Sequence, residues 1–315
     1  MTHASNIAIG LDIGGTKISA CIVDENGHAS FMDRTPTPSQ SGPNAILDAA
    51  ANLAQHVIGA AGVSPAACGL GSAGTFNSTG RVVYATNHLN GWAGTDVSSA
   101  MEERLKIPAV AVNDVHAAAL GELWFGSARG LEWMAFVAVG TGIGGAIIAD
   151  GRVLRGNSGA AGAVGHLHVA VAETRICSCG GRNHLEAFAS GPAIERTFRE
   201  TSGSHLGLQA IGNLARLGDA AALSAIQLAT DLLADALIDL VMLTDSGTIV
   251  LGGGVLGLGE LFLDPIADRM RSGLQMPFAG TSIRAASLRN TACMLGAGAL
   301  ALRHIGGEGL QSTFV

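Results

Sequence analysis

Short apolar runs separated by glycine clusters make up most of the chain, and the period of each run predicts its element. Residues 7–12 form an apolar run ended by Gly14-Gly15, and residues 17–23 resume a strand-like pattern rich in β-branched side chains. Asp24-Glu25-Asn26-Gly27 supplies an Asn-Gly hairpin turn, so the chain is predicted to open as an antiparallel meander with a glycine elbow. Ile46, Leu53 and Val57, at helical spacing among alanines, predict a helix over 44–61. Strands are predicted over 67–71 and 109–113, followed by a helix over 115–125. Residues 135–139 and 146–149 read as two further strands around a glycine loop at 140–145, repeating the opening unit in outline. A long amphipathic helix is predicted over 221–244. It feeds a strand over 248–251 and then Gly252-Gly253-Gly254, and a last helix is predicted over 292–304.

Strands alternating with helices indicate an α/β protein. The two similar elbows suggest duplicated halves, with a ligand in the cleft between them. The boundary is placed near residue 115, where a helix begins after the first sheet. This gives a smaller N-terminal α/β domain over 1–115 and a larger α/β domain over 116–291, with the segment 292–315 able to pack back on the first.

Composition narrows the function classes. The 315 residues are 48% hydrophobic and 14% charged, which provides for a sizeable buried core. A net charge of −7 argues against nucleic acid as the main partner, because a phosphate backbone selects basic faces. No apolar run approaches the roughly 20 residues of a membrane helix, and residues 1–6 lack the layout of a secretory signal. Five cysteines without a disulfide-like framework suggest a reducing compartment, and a cytoplasmic protein is expected. Cys21, Cys68 and Cys293 read as buried small hydrophobes.

The remaining cysteines carry candidate chemistry. Cys177 and Cys179 lie close in sequence to His166 and His184, and thiolate sulfur with imidazole nitrogen is the ligand set of a tetrahedral structural zinc. Glu186 follows the last of these ligands. Asp12-Ile13-Gly14-Gly15-Thr16-Lys17 has the composition of a phosphate cradle: glycines let backbone N–H groups approach an anion, Thr16 offers a hydroxyl, and Asp12 offers a carboxylate to a water-bound Mg²⁺. Gly140-Thr141-Gly142-Ile143-Gly144-Gly145 is a second cradle of this kind, and Gly252-Gly253-Gly254 can pass close to a nucleotide base or ribose. Neither cradle closes with the Gly-Lys-Ser/Thr of a Walker loop, and neither opens a helix as a dinucleotide fingerprint does.

Taken together and in this order, these residues resemble the ROK family of sugar kinases and related repressors, within the actin-like ATPase superfamily. The resemblance runs from about residue 7 to about residue 302. It implies a two-domain actin-like ATPase (ribonuclease H-like) fold with a cleft between the domains. It implies that Asp12, Gly14, Gly15, Thr16 and Lys17 form the first phosphate motif, that Gly140, Thr141, Gly142 and Gly144 form the second, and that Gly253 and Gly254 belong to the adenosine motif. Asn113-Asp114 resembles the sugar-binding Asn and catalytic Asp, and Cys177-Ser178-Cys179-Gly180 with Glu186 resembles the zinc motif and the sugar-binding Glu that ends it. Asn113, His166 and Glu186 would hold sugar hydroxyls, with backbone contacts from Gly74 and Thr75. In 87–92, either Asn87 or Asn90 would be the sugar-loop asparagine.

Three departures from the family pattern matter. Its Glu-x-Gly-His stands here as Ala163-Val164-Gly165-His166, removing a carboxylate that contacts sugar hydroxyls. The third zinc cysteine is replaced by His184 and the glycine before it by Asn183, so the expected ligand set is His166, Cys177, Cys179 and His184. Repressors of the family carry a helix-turn-helix region before the first phosphate motif, and here six residues precede Ile7. Ala163 makes room beside the sugar for a substituent such as an acetamido group, and bacterial N-acetylmannosamine kinases also lack that Glu. The expected activity is transfer of the ATP γ-phosphoryl group to a sugar 6-hydroxyl, with N-acetylmannosamine first. Glucose or N-acetylglucosamine is the alternative substrate, and a sugar-binding sensor without a DNA-binding domain is the non-enzyme alternative. ATP with Mg²⁺, a structural Zn²⁺ and a homodimer are implied by the same resemblance.

Overall fold

The structure is a computed structural model that describes residues 7–86 and 88–315. In chain order its principal elements begin with β1 (Ile7–Ile13), β2 (Lys17–Asp24), β3 (Ala29–Pro36), α1 (Pro43–Ala61), β4 (Ala67–Ser72), β5 (Thr75–Phe76) and β6 (Val82–Tyr84). They continue with α2 (Val97–Leu105), β7 (Ala109–Asn113), α3 (Asp114–Phe125), β8 (Met134–Val139), β9 (Ile143–Ala149) and β10 (Arg152–Val153). After these come α4 (Glu186–Ala189), α5 (Gly191–Ser202), α6 (Leu208–Arg216), α7 (Ala220–Thr244), β11 (Thr248–Gly252), α8 (Glu260–Gly273), β12 (Ser282–Ala285), α9 (Ala292–Ile305) and α10 (Leu310–Thr313). No described helix is long and apolar enough to cross a membrane.

The chain divides into two compact units. The first runs up to Glu132 and adds Ala149–Ala161 and Ser287–Val315; the second is Trp133–Ile148 with Gly162–Ala286. The first unit holds a sheet in the order β3-β2-β1-β4-β7. In it β1 pairs antiparallel with β2 and parallel with β4, and β4 pairs parallel with β7. Helix α9 packs on this sheet by close backbone approach. A Cβ on Gly69 would overlap the backbone of Ala297 and Gly298, so glycine is required there. The strands of the second unit lie in the order β9-β8-β11-β12, with β8 antiparallel to β9 and parallel to β11.

The sequence periods reach most of these elements. Differences have local causes. β9 begins at Ile143, not at 146, because Gly144 and Gly145 pair with Ala138 and Val137 and extend the ladder into the glycine loop. α8 is continuous through Pro265, which has no N–H to give the Leu261 carbonyl and so reads in the sequence as a helix breaker. α7 follows the expected stripe: Ala222, Ala225, Ile226, Ala229, Leu233, Leu237 and Leu240 are buried, and Asp219 caps its start by accepting from the Ala222 N–H at 2.8 Å.

Register positions the loops. Ile13 is level with Ser72, and Ser72 with Asn113, so the carboxyl ends of β1, β4 and β7 share one sheet edge. In the second unit Ala138 is level with Gly252, which places the glycine loop after β8 beside the one after β11. Such carboxyl edges of open α/β sheets are where ligands bind.

Candidate active site

In the first unit the shared strand edge brings Asp12 and Asp114 together. Asn113 ends β7 and caps α3: its Oδ1 accepts from the Val115 and His116 N–H groups, each at 3.0 Å. Its Nδ2 donates to Gly74 O at 3.0 Å and to Asp114 Oδ1 at 3.1 Å. An amide oxygen accepts two bonds and an amide nitrogen gives two, so this side chain is fully engaged in setting the turn and holding Asp114. Asp114 is therefore the first residue of α3 and not its cap; its Oδ1 also accepts from the Val115 N–H at 2.9 Å.

Burial raises the Asp114 carboxyl above the ordinary carboxylate range, against the opposing bonds from Val115 and Asn113. Asp12 is pushed up to about 6, first by burial and then by the negative charge of Asp114, while a bond from Cys293 and the charge of Lys17 lower it. By its sequence Cys293 is a small core residue. It is buried, and it also borders both carboxylates; its place on α9, remote in sequence, gave no signal.

The first glycine turn is closed by Gly14 N–H donating to Lys17 O at 3.0 Å, and Thr37 Oγ1 donates to Gly14 O at 2.7 Å. Gly15 and Thr16 lie in the same turn between β1 and β2. Gly74 takes φ +118°, a left-handed conformation, just ahead of Thr75 in β5. Asn87 lies outside the described residues. Asn90 Nδ2 donates to Gln40 O at 3.3 Å.

In the second unit the glycine loop after β8 is tied by Gly140 N–H to Gly142 O at 2.8 Å and by Gly191 N–H to Gly140 O at 2.8 Å. Thr141 stands inside this turn, and Gly144 lies within β9. Gly253 has φ +92°, and a Cβ there would overlap the Val139 backbone; Gly254 follows at the start of a short 3₁₀ turn. The Glu186 carboxylate reaches this loop: its Oε2 accepts from the Ile143 N–H at 3.0 Å.

The donor atoms of His166, Cys177, Cys179 and His184 all lie within 4.8 Å of one another. Cys177 Sγ is 3.6 Å from His166 Nδ1, and Cys179 Sγ is 3.2 Å from His184 Nδ1. Zinc bonds of about 2.3 Å to sulfur and about 2.0–2.1 Å to nitrogen imply tetrahedral edges of roughly 3.4–3.8 Å, so the set has the donor chemistry and the approximate spacing of a zinc site. The Gly181 N–H also points at Cys179 Sγ, 3.4 Å away, as a donor to a thiolate would. Burial pushes the Cys177 thiol up to about 11 when no metal is bound.

Asn183 explains one departure. It has φ +53°, a conformation glycine enters freely and asparagine tolerates better than most residues, and its Oδ1 accepts from the Arg175 N–H at 3.0 Å. The Arg175 side chain is 2% exposed and donates to Glu173, Thr197 and Glu200 at 2.9, 2.9 and 2.9 Å, fastening the loop to α5. In the sequence 173–175 resembles a solvated polar loop, and no local pattern signals this anchor.

The ROK family model matches residues 8–304, and the chain belongs to the ROK family. The glucokinase of Streptomyces coelicolor is 33% identical over 317 residues, covering 94% of this chain and 97% of that protein. The N-acetylmannosamine kinase of Citrobacter koseri is 30% identical over 295 residues, covering 93% and 98%. Among solved structures, the ROK hexokinase from Thermus thermophilus superimposes with a TM-score of 0.83 at 32% identity, covering 96% of this chain and 99% of that one. A ROK family glucokinase from Streptomyces griseus, in complex with glucose and AMPPNP, gives a TM-score of 0.83 at 32% identity, covering 94% and 99%. The two-unit α/β architecture, with one large sheet in each unit, is that of the actin-like ATPase fold.

Proposed function

We propose that the chain is an ATP-dependent sugar kinase acting on the 6-hydroxyl of an N-acylhexosamine or hexose, with N-acetylmannosamine as the first substrate. The observation that carries this reading is Asp114, a buried carboxylate held by Asn113 and the α3 amide at a carboxyl strand edge, beside a second carboxylate. Its raised pKa suits a general base, an effect worth roughly 10²–10⁴-fold in rate. The sugar O6–H proton passes to Asp114, the O6–P bond forms, the bond from that phosphorus to the β–γ bridging oxygen breaks, and ADP leaves. Asp12 would hold Mg²⁺ through water, and Mg²⁺ supplies neutralisation of the transferring phosphoryl charge.

The glycine turns at Gly14, Gly15, Thr16 and Lys17 and at Gly140, Thr141, Gly142 and Gly144 would cradle phosphates, with Gly253 and Gly254 against the nucleoside. His166, Glu186, Gly74, Thr75 and the sugar-loop asparagine would contact the sugar, Asn113 acting through Asp114. A zinc ion on His166, Cys177, Cys179 and His184 would fix the loop that presents Glu186. A homodimer in the cytoplasm is the working assembly.

The kinase names of the relatives and the presence of Asp114 support catalysis over a binding-only sensor. Ala163, with its single methyl, supports an N-acyl sugar; the glucokinase relative supports glucose as the second reading. Relative kcat/KM across N-acetylmannosamine, glucose and N-acetylglucosamine separates these readings. A preference for glucose overturns the N-acyl assignment.

A further inference from the structure

The Glu186 carboxylate is fixed at both oxygens. Oε1 accepts from Ser178 Oγ at 2.5 Å, and Oε2 accepts from the Ile143 N–H at 3.0 Å. Gly142 makes room for this: a Cβ there would lie 2.5 Å from Oε2. A carboxylate offers about four acceptor positions. One on each oxygen is taken, which turns the carboxylate so that its free positions meet ligand hydroxyls in a defined direction. Glu186 begins a helix of only four residues, so its backbone alone fixes that direction poorly.

We propose that Ser178 is a positioning residue for sugar recognition: its hydroxyl holds one oxygen of Glu186 while the Ile143 amide holds the other, so that the carboxylate meets the sugar in a single orientation. This rests on the reading that Glu186 contacts the sugar. Ser178 stands between two candidate metal ligands without being one of them. It is exposed, so its removal leaves no cavity.

Ser178→Ala and Ser178→Thr, each in the full chain, test the proposal. Calorimetric sugar affinity, steady-state kinetics, bound zinc and thermal melting are measured for both and for the wild type. Ser178→Ala is expected to raise the sugar Kd and KM about tenfold, as for a lost hydrogen bond to a charged acceptor. The ATP KM, kcat, zinc content and melting temperature should stay within about twofold or a few degrees of wild type, and Ser178→Thr should restore sugar affinity. An unchanged sugar Kd in Ser178→Ala overturns the proposal. So does a weaker Kd accompanied by zinc loss, which would make Ser178 a structural residue, or a failure of Ser178→Thr to rescue. Wild type that binds sugar without turning it over defeats the kinase reading alone, and the calorimetric comparison still decides the role of Ser178. Wild type that binds no sugar defeats both.

Discussion

The glycine turn after β1 and the glycine turn after β8 are built alike. Each follows a buried strand, each returns into an antiparallel partner, and each has a parallel strand on the other side: β2-β1-β4-β7 in the first unit and β9-β8-β11-β12 in the second. Their charges come from different places. In the first unit the carboxylates stand on the skeleton itself, Asp12 on β1 and Asp114 directly after β7, so sheet register brings them to one edge. In the second unit the strand end is Val139, and the carboxylate at the turn is Glu186, at the end of a distant segment that also carries buried Arg175 and the cysteine–histidine cluster. One skeleton can therefore present a carboxylate from its own strands, or receive one from a distant segment.

Breaking the first arrangement should cost rate without stability. Asp114→Asn is isosteric, and it is expected to lower kcat by at least about 10²-fold while sugar affinity by calorimetry changes little. Retained turnover would remove Asp114 as the base. Breaking the second should cost stability and sugar affinity first. Cys177→Ser, or chelation of the wild type, is expected to remove bound zinc, lower the melting temperature by several degrees and raise the sugar KM, because metal binding contributes directly to loop folding. Metal analysis beside differential scanning calorimetry checks this, and full stability without metal would dissolve the contrast between the two units.

A pH profile sharpens the comparison further. Asp114 is raised by burial and must be ionised to accept a proton, so kcat/KM should fall on the acid side at a pH above the ordinary carboxylate range. Asp12 moves from 3.8 to about 6 on folding, so between those values the folded state holds a proton that the unfolded state has lost. Its contribution to stability therefore declines as pH rises through that window. Denaturant titrations of wild type and Asp12→Asn across pH 4–7 measure the difference. The smallest effect is expected from Ala163→Glu, which restores the long carboxylate of the family pattern: a severalfold shift of relative kcat/KM from N-acetylmannosamine toward glucose. No shift would detach Ala163 from sugar choice.

How much of this was legible in the sequence follows from the same contrast. The opening elbow, β7 running into Asn113-Asp114, and the Cys177-Ser178-Cys179-Gly180 motif are local patterns, and their elements lie where the periods placed them. Contacts made across long separations were not legible. Cys293 reaches Asp12 from α9, and Glu122, fully buried on α3, accepts from the Leu288 N–H at 2.7 Å. Neither position has a sequence neighbour that announces its partner. Asn183 is legible in the sequence only as a missing glycine; its φ of +53° is a conformation that glycine enters freely.

The central claim is that the carboxylate edge of the first unit performs phosphoryl transfer to a sugar. Coupled ADP release with Mg-ATP, measured for wild type and Asp114→Asn across a panel of hexoses and N-acylhexosamines, tests it most directly. Turnover by wild type, highest with N-acetylmannosamine, and its loss in Asp114→Asn are expected. Absence of turnover with every sugar, or equal turnover by both proteins, would contradict it.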